Sequence, residues 1–122
     1  MKDDSGQSPL RAKSYSFALE IVKLGRKLTG EQKEYVLARQ ILRSGTSIGA
    51  NIIEGTQAQS RSDFIHKLSI ALKEAVETSY WLQLLRDSEL LSRPEASQML
   101  DKCVEIEKML TASIKTAKNN RS

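Results

Sequence analysis

RSGTSIGANIIEG, Arg43 to Gly55, is the stretch on which the fold turns. Its centre, GTSIG, fits the G-x-S-x-G pattern of a hydrolase nucleophile elbow, where a strained strand-to-helix turn lifts a serine clear of the backbone. The same letters also fit the middle of a helix. Ala38, Ile41, Gly45, Ile48 and Ile52 recur at three- and four-residue steps, with Tyr35, Leu42, Gly49 and Ile53 on the flank beside them. The pattern passes through Ser47 unbroken, and no strand precedes it. Glu54 and His66 follow in the acid-then-imidazole order of a hydrolase, but His66 lies in the next segment, beyond the polar break TQAQSRS. The helical reading therefore wins, and no catalytic residue is expected. A phosphate loop is excluded too, because no Gly-Lys-Ser/Thr follows the glycines.

Glycine inside a helix costs about 1 kcal/mol relative to alanine, so Gly45 and Gly49 need a compensation. They stand one turn apart on the apolar side, where the absence of a side chain lets a neighbouring helix approach closely. At about 100° per residue, Gln40, Ser47, Asn51 and Glu54 form a polar strip along the edge of that side, with Arg43 just outside it. Such a strip either hydrogen-bonds to the next helix, with Asn51 and Glu54 reaching Glu77, Thr78 or Tyr80, or forms a subunit interface or ligand groove.

Working outward, Ser8 before Pro9 caps a first helix over about 9–28, carrying Leu10, Phe17, Ile21, Leu24 and Leu28. The central stretch belongs to a second helix over about 32–56. Ser60 and Asp63 open a third, about 62–87, with Phe64, Leu68, Ala71, Ala75, Leu82 and Leu85. Ser92 and Glu95 open a fourth, about 93–118, with Ala96, Cys103, Leu110 and Ile114. No segment alternates with period two. The expectation is an all-α protein, an antiparallel up-down-up-down four-helix bundle over 9–118, behind a disordered lead (1–8) and before a basic tail (119–122).

One domain fits a chain of 122 residues. It has no apolar run long enough to span a membrane and no apolar leader, so a cytoplasmic protein without membrane contact is expected. One cysteine and one histidine rule out a zinc constellation, and no cofactor loop is present, so neither metal nor cofactor is expected. Cys103 reads as a small buried hydrophobe.

With RSGTSIGANIIEG on helix two and DFIHKLSIALKEAVETSYWLQLL on helix three, the chain resembles a bacterial family of four-helix-bundle proteins. These are related to proteins encoded by intervening sequences inside 23S ribosomal RNA genes. Its pattern of an Arg, a Ser-Ile pair, Asn-Ile and Glu-Gly corresponds to Arg43, Ser47-Ile48, Asn51-Ile52 and Glu54-Gly55, and Glu77 matches the acidic position on helix three. The likeness spans roughly 12–115. It implies a left-handed bundle, frequently assembled as a ring-like homopentamer, with no known enzymatic activity. A more distant similarity extends to the accessory variability proteins of diversity-generating retroelements, which associate with a reverse transcriptase and nucleic acid.

A formal charge of +4 in a chain with 19 basic residues suits a polyanionic partner, RNA or another nucleic acid, when joined to that resemblance. Arg39, Arg43, Arg61, Lys67 and Lys73 are the candidate phosphate contacts. A protein partner is the second class: Trp81 lies about 100° from core residue Leu82, at the rim of the core or at a subunit contact, beside Glu77. An enzyme is the least favoured class, since Glu74 and Glu77 lack the Glu-x-x-His of a di-iron bundle.

Overall fold

The computed structural model describes residues 8–120 and contains four helices, α1 (Pro9–Gly30), α2 (Tyr35–Thr56), α3 (Arg61–Asp87) and α4 (Arg93–Asn119). Of the expected lead, residues 1–7 lie outside the described residues, as do the last two of the tail. Ser8 belongs to the fold, because its Oγ accepts from the Arg11 amide at 3.1 Å and caps α1 ahead of Pro9. Ser60 and Ser92 cap α3 and α4 the same way, accepting from the amides of Asp63 and Glu95 at 3.0 and 3.3 Å.

The second helix begins later than expected. Residues 31–34 are needed for the turn: Lys33 takes a left-handed φ of 56°, and the Glu34 amide donates to Leu28 O at 2.8 Å. Glu34 is extended, and its carboxylate accepts from the Leu37 amide at 3.0 Å, so the capping role falls to a glutamate. No strand occurs among the described residues.

The apolar stripes of the four helices close on one core, in which Phe17, Ile21, Leu28, Ile41, Ile48, Leu68, Leu82, Leu85, Ile106 and Leu110 are fully buried. Sequential helices are neighbours and run antiparallel: Ser44 meets Thr78 while Glu54 meets Lys67, and Ala75 meets Cys103 while Arg61 meets Ala117. Tyr35 and Ile53, read as flanking the core, are instead 55% and 40% exposed. α1 and α4 share the smallest contact, crossed by Lys13–Glu105, Glu20–Lys102 and Lys27–Glu95.

The glycines explain the close approach of α1 and α2. A Cβ on Gly45 would stand 2.8 Å from Ile21 Cγ1, and one on Gly25 would stand 2.8 Å from Leu42 Cγ, closer than real side chains come. At Gly49 the nearest atom would be Ser14 Oγ at 3.4 Å, a looser fit, and at Gly30 nothing lies within 4 Å. Gly45→Ala should therefore destabilise by about 1–3 kcal/mol through overpacking. Gly30→Ala should stabilise by about 0.5–1 kcal/mol. Urea unfolding followed by helical circular dichroism measures both, and equal effects would remove the packing explanation.

Candidate functional site

The polar strip of α2 faces α3, and its contacts differ from those expected. Asn51 Nδ2 donates to Ser47 O at 2.8 Å and stays within its own helix, while Glu54 accepts from Lys67 Nζ at 2.8 Å. That carboxylate, by its hydrogen bond and its charge, holds the Lys67 ammonium above its ordinary pKa. Ser47 Oγ donates to Ser44 O at 3.0 Å, so its proton is committed to the helix, and His66 is exposed on α3. Gln40 is half-buried on the same edge.

Thr78 and Glu77 are reached from α2 by Ser44 and Arg43. The Ser44 and Thr78 hydroxyls hydrogen-bond at 2.8 Å in the core, and Thr78 Oγ1 also lies 2.8 Å from Glu74 O. Arg43 Nη1 donates to Glu74 Oε1 at 3.3 Å, and Nη2 donates to Glu77 Oε2. Trp81 Nε1 donates to that same Glu77 oxygen at 3.0 Å, so one carboxylate ties an arginine on α2 to a tryptophan on α3. Trp81 is half-buried against the core with its ring edge-on to exposed Tyr80, centroids 5.1 Å apart.

Three of the five candidate phosphate contacts are engaged within the fold. Arg43 and Lys67 are held by carboxylates, and Arg61 Nη1 donates to Ala117 O at 3.2 Å. Arg39 and Lys73 are exposed, and among the described residues neither enters an ion pair. What the sequence reading passed over lies on α4, where Lys108, Lys115 and Lys118 are exposed in a stretch holding no acid after Glu107. Lys115 and Lys118 share the end of the bundle where Arg61 begins α3. A groove of about 600 Å³ opens at that end, bordered by Arg61, Phe64, Ala112, Thr116 and Ala117. A second, of about 340 Å³, adjoins it through Phe64 and Ser113 and reaches buried Leu10, Ile52 and Leu68.

Between α3 and α4, Cys103 Sγ contacts Ala75 O at 3.2 Å and Ser79 Oγ at 3.3 Å, while Ser79 Oγ donates to Glu107 Oε2 at 2.7 Å. Burial, reinforced by the Glu107 charge, pushes the thiol up to about 12 from an ordinary 9.0. It is therefore protonated and unreactive at neutral pH. No group of three His, Cys, Asp or Glu among the described residues could hold a metal ion, and no described helix is long and apolar enough to cross a membrane.

Comparison with known proteins joins this geometry to the signature on α2 and α3. The family model for the 23S rRNA-intervening sequence protein matches residues 8–112. The chain belongs to that family. The chain is similar, at 55% identity and a TM-score of 0.86, to a crystal structure from Bacteroides thetaiotaomicron, described as a protein with unknown function from the S23 ribosomal protein family. The match covers 87% of this chain and 98% of that one. No curated protein matches significantly.

Two outcomes test this geometry within the family fold. Arg43→Gln should cost about 1 kcal/mol, because it leaves two partly exposed carboxylates without their cation, and should shift Trp81 emission as Glu77 moves. Unchanged emission and stability would show the bridge to be inert. For Cys103, a folded pKa above the unfolded one means that the unfolded chain releases the proton first. The thiol's stabilisation is thus complete below pH 9 and is lost as pH rises towards 12. Cys103→Ala should flatten that part of a stability–pH profile, whatever it does to stability at neutral pH.

Proposed function

We propose that this protein is a non-enzymatic, homo-oligomeric bundle that contacts structured RNA, or a ribonucleoprotein, through cationic side chains. The observation that carries the reading is where cations without carboxylate partners among the described residues gather. Lys115 and Lys118, in a stretch of α4 free of acids, share one end of the bundle with Arg61 at the start of α3, beside a groove with the Phe64 ring on its wall. Lysines on long flexible stems neutralise phosphates without demanding one geometry. An aromatic wall in a groove is a surface on which an unstacked base can lie. Repetition of the chain in an oligomer, a pentamer by resemblance, multiplies a formal charge of +4 per copy.

A second reading, a protein-binding scaffold that includes an accessory subunit of a reverse-transcriptase system, is favoured by exposed apolar side chains. Val36 and Tyr80 are 64% and 58% exposed, and Tyr80 lies against Trp81.

Fluorescence anisotropy of labelled structured RNA over a salt series separates the two. The wild-type protein should bind with a steep salt dependence. The triple variant Arg61→Gln, Lys115→Gln, Lys118→Gln should bind at least about tenfold more weakly at low salt, with a log–log slope shallower by about 2. Lys67→Gln, whose cation is already paired with Glu54, should change binding little. Full affinity in the triple variant would move the contact elsewhere, and no binding by the wild type would leave the scaffold reading.

A further inference from the structure

The bundle core is filled by large side chains along most of its length and under-filled at one end. On α4 the inward positions run Ile106, Leu110, Ser113, Ala117, so its last turns present small groups where the earlier ones present branched chains. Across from them α3 starts with Arg61 and Phe64, and Arg61 Nη1 donates to Ala117 O over the gap. The space left is the pair of grooves at this end. The outer one, about 600 Å³, lies between α3 and α4. The inner one, about 340 Å³, has walls from all four helices and reaches Leu10, Ile52 and Leu68. Phe64 and Ser113 border both, so the two form one trough. It follows α4 from Met109 to Asn120, about 16 Å at a rise of about 1.5 Å per residue.

The chemistry changes along that length. The inner groove is carbon apart from a few hydroxyls, and one of these, Thr56 Oγ1, is committed to Ile53 O at 2.6 Å. The outer groove carries Arg61 at its border, with Lys115 and Lys118 exposed on the neighbouring turns of α4. Among the described residues none of these three cations enters an ion pair. No acid lines either groove, and Glu54, the acid of α2 at this end, is paired with Lys67. A trough that is apolar at one end and cationic at the other complements a molecule with one apolar and one anionic end. A nucleobase pushed into the inner part would leave its polar edges against carbon, whereas an alkyl chain has no such groups to desolvate.

We propose that this trough binds a free fatty acid of medium chain length. Its alkyl chain runs from Phe64 inward to Leu10 and Ile52, and its carboxylate, ionised at neutral pH, lies at Arg61. The guanidinium has N–H donors beyond the one given to Ala117 O, and that contact holds it in place at the mouth. Lys115 and Lys118 add positive field without fixing a geometry. The trough length matches an extended chain close to that of laurate. This site goes beyond the RNA reading, whose cations it shares, and does not depend on it.

The test uses cis-parinarate, a fatty acid that fluoresces once it leaves water, bound to the full chain and displaced by octanoate, decanoate or laurate. Circular dichroism is the control for folding. The wild type should bind the probe, and each added methylene should tighten the competitor by about three- to fourfold. Arg61→Gln should weaken decanoate at least about tenfold and leave decanol, which has the chain without the charge, unchanged. Ser113→Phe places a ring where the two grooves meet and should abolish binding in a folded protein, since it adds carbon to under-filled space. Thr116→Trp, at an exposed position on the outer groove, is a second block that leaves the core alone. Absence of probe binding by the wild type, or full decanoate affinity in both folded blocking variants, overturns the proposal. Equal affinity for decanoate and decylamine overturns it as well, because a cationic head has no reason to choose this mouth.

Discussion

The structure depends on a reciprocal exchange between α1 and α2, in which each helix offers one branched side chain and one glycine. Ile21 of α1 fills the space that a side chain at Gly45 would need, and Leu42 of α2 does the same at Gly25. Interiors packed to crystal-like density leave such an arrangement little room to slide, so it fixes the rotation of α2 about its own axis as well as its distance from α1. With Gly45 turned to α1, the preceding residue points about 100° away, towards α3. That is why Ser44 finds Thr78 in the core and Arg43 reaches Glu74 and Glu77 at the surface. The signature stretch is thus one device seen from two sides, a close packing surface towards α1 and a polar one towards α3.

The remaining contacts are graded. α2 and α3 are joined by a buried hydroxyl pair and an arginine bridge, and α3 and α4 by the contacts of Cys103 and Ser79. α1 and α4 are crossed by ion pairs whose side chains remain about a third to a half exposed, as in Lys13–Glu105 at 46% and 52%. Pairs in that setting contribute about 0–1 kcal/mol each. Small grooves open beneath them over Phe17, Leu24, Met99 and Ile106.

The four helices were legible because their signals are local: a serine cap, a proline at the first turn, and apolar residues every three or four positions. The second helix started late because Lys33 accepts a left-handed turn and Glu34 acts as the cap, a role that glutamate seldom advertises. Close packing was readable at Gly45, inside an apolar pattern, and not at Gly25, whose need for space is set by Leu42 on another helix. Ser44 was passed over, and Thr78 was matched to Asn51 or Glu54 instead, for a related reason. Each falls at a core position of its own helix, where a lone hydroxyl looks misplaced, and only the pairing across helices satisfies both. Arg43 and Lys67 looked free because a sequence shows charge without showing the carboxylate that answers it.

That last point governs how the surface is interpreted. Composition alone makes the chain modestly basic, with 19 basic and 15 acidic residues, and such an excess could be spread evenly. Folding sorts it. Once the acids of α1, α2 and the middle of α3 are matched to cations on neighbouring helices, two chemically different groups stand out among the cations left unmatched in the described residues. Arginines with planar, weakly hydrated heads lie among exposed apolar residues on α1 and α2. Lysines, compact and strongly hydrated, stand exposed at the end of α4.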